Sequence, residues 1–169
     1  QQLVFRANAG KMVSLKTDYQ HSVKTNYSEF LSSRRCAIVE HCATMEVIFQ
    51  YKNKLHVKTA YLFSFKRNRQ GFQEAQLHKL DAEFKYKMVK KGNLTLAAAY
   101  YNIKYNDAEN SSLSHEMLEG LSMGHNVTWD AKYEANITDF LQINLLYQGR
   151  HTQGHKVVHT GSLEVRAHF

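Results

Sequence analysis

The chain has 169 residues, 22 Lys and Arg against 15 Asp and Glu, and a formal charge of +7; that length suits one domain and is thin for two. No run of about 18 apolar residues occurs, which excludes a transmembrane helix. No basic-then-apolar leader opens the sequence, so an exported protein would have lost its signal or this chain would begin inside a longer one.

Proline is absent, which suits continuous strand pairing because proline removes a ladder donor. Leu3, Phe5, Ala7 and Ala9 alternate with Val4, Arg6 and Asn8, and Gly10 with Lys11 marks a turn. Apolar or mixed positions from Val13 to Tyr27 then alternate with Ser14, Lys16, Asp18, Gln20, Ser22, Lys24 and Asn26, a run longer than the five or six residues usual in a globular strand. A period of two is the strand period, with one face apolar and the other charged. A polar stretch over 28–35 breaks the pattern.

Ala43, Met45, Val47, Phe49 and Tyr51 resume it, Lys52, Asn53 and Lys54 turn it, and Leu55, Val57, Thr59, Tyr61, Phe63 and Phe65 return. After a loop over about 67–75, Leu80, Ala82, Phe84, Tyr86 and Met88 alternate with Lys79, Asp81, Glu83, Lys85 and Lys87. Beyond a turn over 90–93, Leu94, Leu96 and Ala98 start on one parity, and Tyr101, Ile103 and Tyr105 finish on the other. That slip predicts a β-bulge near Ala98 to Tyr101. The stretch 106–123 is long, polar and without alternation, and is expected to be an external, mobile loop.

Three further runs close the chain. Val127, Trp129, Ala131, Tyr133, Ala135 and Ile137 alternate with Thr128, Asp130, Lys132, Glu134 and Asn136. Leu141, Ile143, Leu145 and Tyr147 alternate with Gln142, Asn144 and Gln148. Val157, Gly161, Leu163, Val165, Ala167 and Phe169 alternate with Thr160, Ser162, Glu164, Arg166 and His168. Short turns centre near Lys11, Asn53, Lys91 and Asp139, and longer ones near Ser32, Gln70, Glu116 and Gln153. They alternate, as in transmembrane barrels with short periplasmic turns and longer outer loops. Nine strand legs result. With the last ending at the periplasmic rim, the first starts on the outer side, whereas a complete bacterial barrel has an even count. Either further strands complete the barrel or the first leg is not a full barrel strand.

Tyr147, Gly149 and Arg150, then Val158, His159, Thr160 and Gly161, then Val165, Arg166, Ala167, His168 and Phe169 resemble the closing strands of outer-membrane barrel proteins of the Bacteroidetes. The resemblance covers about the last 45 residues. It implies a bacterial outer-membrane location and a terminal signal for the barrel-assembly machinery at Leu163, Val165, Ala167 and Phe169.

The expected fold is all-β: an antiparallel up-and-down transmembrane barrel, or the carboxyl-terminal part of a larger one, with about eight or nine strands in this chain as a single domain. The charged face is then the lumen, carrying Lys79, Asp81, Glu83, Lys85, Asp130, Lys132, Glu134, Glu164 and Arg166. It either cross-links neighbouring strands or lines a solute path. Tyr51, Tyr86, Trp129, Tyr133 and Tyr147 have the logic of aromatic girdles at the membrane interfaces. Outer-membrane lipid, the barrel-assembly machinery and further strands or chains are the expected partners, and no nucleic acid is.

His151, His155 and His159 recur every fourth residue, but on a strand that spacing is about 13 Å, too far for one metal. Cys36 and Cys42, six apart in one strand, would be roughly 20 Å apart and are expected to be free thiols. No Gly-x-Ser-x-Gly elbow, His-Glu-x-x-His motif or phosphate loop occurs. No catalytic residue, metal or cofactor is therefore assigned. Three functions fit: a structural or pore-forming outer-membrane component, a soluble lipocalin-like barrel with its apolar face turned inward, or an accessory subunit of a larger outer-membrane assembly.

Overall fold

A computed structural model describes residues 1–10, 12–26, 36–52, 54–88, 92–108, 111–138 and 140–167. Each alternating run becomes a strand: β1 (Gln2–Ala9), β2 (Val13–Asn26), β3 (Cys36–Tyr51), β4 (Leu55–Asn68), β5 (Glu74–Met88), β6 (Gly92–Tyr105), β7 (Gly124–Thr138), β8 (Leu141–Thr152) and β9 (Val158–Ala167). Among the described residues one short helix, α1 (Ser112–Met117), interrupts them. The strands form one antiparallel sheet in chain order, so every neighbour in space is a neighbour in sequence. This is the up-and-down arrangement read from the alternation.

The sheet does not close on itself. Among the described residues β1 pairs with β2 and β9 with β8, and neither has a second partner. From β2 to β8 the strands run 12 to 16 residues. Globular strands are usually about half that length, whereas about 9–11 residues suffice to cross a bilayer on a tilt.

Register fixes which side chains share a face. Lys16 lies opposite Glu46, Lys58 opposite Glu83, Thr95 opposite Lys132, and Glu134 opposite Asn144, so the charged positions of successive strands fall on one inner face. The outer face carries the apolar set, and Leu3, Phe5, Met45, Leu80, Leu145, Leu163 and Val165 on it are all exposed. A soluble sheet hides such residues. Here they form a continuous apolar surface across the strands, far beyond a scattering of single exposed side chains.

Two expectations are corrected. The pairing of β6 with β5 and with β7 runs without a break through Ala98 and Tyr101, so there is no bulge there. The register shift lies instead between Asn136 and Thr138. Tyr101, Ile103 and Tyr105 are apolar on the inner parity because they meet α1 and the residues after it. The loop 106–123 is also not a free polar loop. Met117 and Leu118 are 0% and 2% exposed, packed with Cys36, Ile38, Ala75, Leu77 and Ile103 in a small core on the inner face. α1 forms because Ser111 caps it. The Ser111 hydroxyl accepts from the Ser114 N–H at 2.9 Å, and the Ser114 hydroxyl accepts from the Ser111 N–H at 3.0 Å.

Candidate functional site: the inner lining and the outer wall

The inner face brings together every charged residue expected there. Lys79 pairs with Asp81 at 3.4 Å, Lys85 with Glu83 at 3.0 Å, Lys132 with Glu134 at 2.6 Å and Arg166 with Glu164 at 2.8 Å. Each of these pairs lies within one strand, two residues apart, because alternate residues project on one side. Lys58 with Glu46 at 3.6 Å is the pair that crosses from β4 to β3 in mid-sheet. Asp130 lies on the same inner row, opposite Ala97 and Gln148. The charges thus neutralise one another mainly along the strands. Partly exposed pairs of this kind contribute little to stability, so their cost is tolerable only where water reaches them.

At the end of the sheet that carries the longer connections, α1 and its flanks are tied to this lining. Lys66 is buried, and its ammonium donates to Glu119 at 2.7 Å and lies 3.7 Å from Glu40. Glu40 also accepts from the Ser64 hydroxyl at 2.7 Å. Lys24 of β2 pairs with Glu116 at the end of α1, and that hydrogen bond holds the Glu116 carboxyl below the ordinary carboxylate range. Asp107 is held low as well, by the Ala108 N–H at 2.8 Å and the Gln73 amide at 3.1 Å. The segment is therefore seated by an apolar core at Met117 and Leu118 and by carboxylate clamps on both sides of it. It lies over the inner face of β3 to β6.

The outer face separates the expected girdle into two levels. Tyr51, Tyr86 and Tyr133 share one hydrogen-bonded row, alternating with Leu55 and Leu94. Trp129 and Tyr147 lie higher, toward the longer connections. The Trp129 indole lies over Gly149, its partner on β8, in the space a Cβ would fill. That gives the glycine after Tyr147 a physical role. Trp129 also meets the His159 ring edge-on, with centroids 5.9 Å apart.

Four further pairs on this face were not read from the sequence. The Tyr19 hydroxyl bonds His41 Nδ1 at 2.7 Å, Tyr61 bonds His78 Nδ1 at 2.7 Å, Tyr100 bonds His125 Nδ1 at 2.6 Å, and Tyr147 bonds His159 Nδ1 at 2.8 Å. Each histidine stands opposite the residue two past its tyrosine: His21, Phe63, Asn102 and Gly149 respectively. The contact is the diagonal one that long side chains make across antiparallel strands. The signal was the recurrence of Tyr and His on the apolar parity, one pair in each hairpin closed by a longer connection.

Leu163, Val165 and Ala167 lie on the outer face of β9 opposite Leu145, Ile143 and Leu141, and Phe169 lies outside the described residues. Cys36 and Cys42 share the inner face of β3 and are both free thiols. Among the described residues, no three His, Cys, Asp or Glu side chains gather as a metal site. His151 and His159 fall on the outer face of different strands, and His155 lies in the turn between them.

No protein-family model, curated protein or solved structure matches the chain.

Proposed function

We propose that this chain is a wall of a bacterial outer-membrane β-barrel, with the apolar face against lipid and the charged face toward a water-filled lumen. The observation that carries the reading is the division of the faces. Leu3, Phe5, Leu80 and Leu163 are 73%, 65%, 55% and 64% exposed on one side, while Lys79, Asp81, Glu83 and Glu134 line the other. A lipocalin-like barrel would turn the same alternation inside out. Lipid supplies no hydrogen bonds to a backbone, so strands are the spanning element only if they pair all round. The resemblance of the closing strands to Bacteroidetes barrels supports the same location, with Leu163, Val165 and Ala167 in the assembly signal. The role is structural or pore-forming, with α1 and its flanks as a constriction and no catalytic step.

The test is the behaviour of the purified protein. A chain that needs detergent to stay dispersed, and that migrates differently on a gel before and after boiling, fits a folded membrane barrel. Free solubility without detergent overturns the reading.

The open edges favour a second element of the proposal: further strands, in this chain's own protein or a partner's, complete the wall. Exposed edge groups of β1 and β9 each cost several kcal/mol in hydrocarbon when unpaired. Cysteine pairs placed on β9 and on the strand alongside it should cross-link in the membrane. Cross-linking of β9 to β1 of the same chain would show instead a nine-stranded closed barrel.

A further inference from the structure

The four Tyr–His pairs do not lie on one hydrogen-bonded row, and the way they depart from it is informative. The row of Tyr61 runs through Met45 to Thr17, two residues below Tyr19 on β2. Tyr100 shares the row of Tyr61 through Leu80. The row of Tyr147 runs through Ala131, Leu96 and Phe84 to Val57, four residues below Tyr61 on β4. The pairs thus descend by two, none and four residues, six in all over the six steps from β2 to β8.

The short turns descend by the same amount. The row of Val13, just after the first turn, passes Phe49 to Val57, two residues above Leu55 at the second. The row of Leu55 passes Tyr86, Leu94 and Tyr133 to Leu145, four residues above Leu141 at the last. That again is six residues over six strands.

A drift of one residue per strand has a geometric meaning. At a rise of about 3.3 Å per residue and a strand spacing of about 4.8 Å, it tilts the strands by about 35° from the common axis. Barrel strands tilt by about 35–45°. Measured along that axis, the rim of short turns is level, three of the Tyr–His pairs are level with it, and the Tyr100 pair stands two residues higher. Counted along the strands, Tyr19, Tyr61, Tyr100 and Tyr147 stand six, six, eight and six residues past Val13, Leu55, Gly92 and Leu141. Each histidine pairs two residues higher, which puts the imidazoles of His41, His78 and His159 about 22 Å above the rim and that of His125 about 27 Å above it, at about 2.7 Å of height per tilted residue. The apolar band of a transmembrane barrel is about 25 Å tall.

Above the pairs the outer face turns polar. Arg67 pairs with Glu74 at 3.4 Å, and Gln76, Lys104 and His151 occupy outer-face positions nearby. Val23, Val39 and Phe65 carry the apolar surface slightly further on β2 to β4. Below the pairs the surface is apolar down to Tyr51, Tyr86 and Tyr133.

We infer that the four histidines are contacts for lipid head groups, which set the depth of the wall at its outer interface. This rests on the membrane-wall reading above and names the partner of that wall at one level. The tyrosine reaches its histidine from below, and its hydroxyl is hydrogen-bonded to Nδ1, to which it can donate. With the hydroxyl as donor, Nε2 carries an N–H, on the side of the ring away from Nδ1 and from the tyrosine below it. The acceptors at that height in a bilayer are the ester and phosphate oxygens of the lipids. A tyrosine alone would prefer the interface; a tyrosine holding an imidazole adds a fixed outward donor, repeated in four hairpins, three at one height and the fourth about 5 Å above them.

Trp129, packed against His159, reports the depth. The full protein is reconstituted in vesicles of lipids brominated at a shallow or a central acyl position, and its fluorescence is compared with that of Trp129→Phe so that the difference isolates this residue. Quenching stronger from the shallow bromines is expected. In the fourfold variant His41→Phe, His78→Phe, His125→Phe and His159→Phe, which keeps four rings and removes four N–H donors, the ratio of shallow to central quenching should fall. Heat-modifiable migration of the variant shows that it is folded. If that marker is lost, Tyr19→Phe, Tyr61→Phe, Tyr100→Phe and Tyr147→Phe, which free the imidazoles from their fixed orientation, take its place with the same expected fall. Quenching strongest from the central bromines, or a ratio unchanged in a folded variant, overturns the head-group contact while leaving the wall in the membrane. No quenching by either lipid overturns both readings.

Discussion

Ala97 and Ala98 are consecutive, chemically identical and on opposite faces of β6, so they isolate what each face meets. Ala98 stands between Ala82 and Trp129 on the outer face, four residue steps above the row of Tyr86 and Leu94 and two below Tyr100. That is near the middle of the apolar band. Ala98→Arg puts a guanidinium there, and an arginine at the midplane of a transmembrane barrel costs about 2–4 kcal/mol. At 1.4 kcal/mol per decade the folded-to-unfolded ratio should fall by about 30-fold to about 700-fold. Ala97 stands between Glu83 and Asp130 on the inner face. Ala97→Arg adds a cation between two carboxylates, worth about 0–1 kcal/mol in a wet lining. Reversible unfolding in denaturant, after refolding into vesicles, measures both. Equal losses, or a greater loss at Ala97, would refute the assignment of faces.

Gly149→Ala drives a Cβ into the Trp129 indole and should cost about 1–3 kcal/mol. Gly161→Ala, whose nearest atom would be the Leu146 carbonyl oxygen at 4.0 Å, should stay within about 0.5 kcal/mol in the same unfolding assay. Met117→Ala opens a cavity in the core under α1 and should cost about 2–5 kcal/mol of the loop's local stability. Hydrogen exchange at the Leu118 amide, which donates to the Ser114 carbonyl at 2.8 Å, reads it. The same amide reports the pH response of the clamps. Glu116 and Asp107 titrate below their ordinary values, so their stabilisation is present above the unfolded carboxylate range and is lost as pH falls through the depressed values. Protection of Leu118 should hold at neutral pH and fall at strongly acidic pH; a profile flat with pH would remove the clamps from the account.

The strands and their two faces were legible because a period of two records both at once. Lys79 to Lys87 against Leu80 to Met88 says strand, and also says which residues travel together. The apolar residues on the other parity carry the rest of the message, and alternation alone does not decode it. By alternation alone Tyr101 and Ile103 read as a slipped register, but they and Leu77 are inner-face positions that the chain covers with Met117 and Leu118. Alternation describes a strand against a uniform medium and is silent about a helix laid across it that begins nine residues after Ile103. The loop's composition, rich in Ser, Asn, Glu and His, hid the two buried apolar residues that seat it.

The Tyr–His pairs failed for a different reason, and that reason bears on how such a wall is built. Tyr61 and His78 are 17 residues apart, Tyr100 and His125 are 25, and Tyr147 and His159 are 12. No fixed spacing marks them, because the longer connections between their strands differ in length. What is constant is the diagonal of the ladder, and the distance from the short turns varies only between six and eight residues; both belong to the sheet. A short turn fixes register tightly, so side chains a set number of residues above it keep their height whatever the far connection does. The variable connections, including the one that carries α1, can then change without moving the level at which the wall changes from apolar to polar. Under the membrane-wall proposal, that separation lets the outer face answer to the bilayer while the loops answer to what lies beyond it.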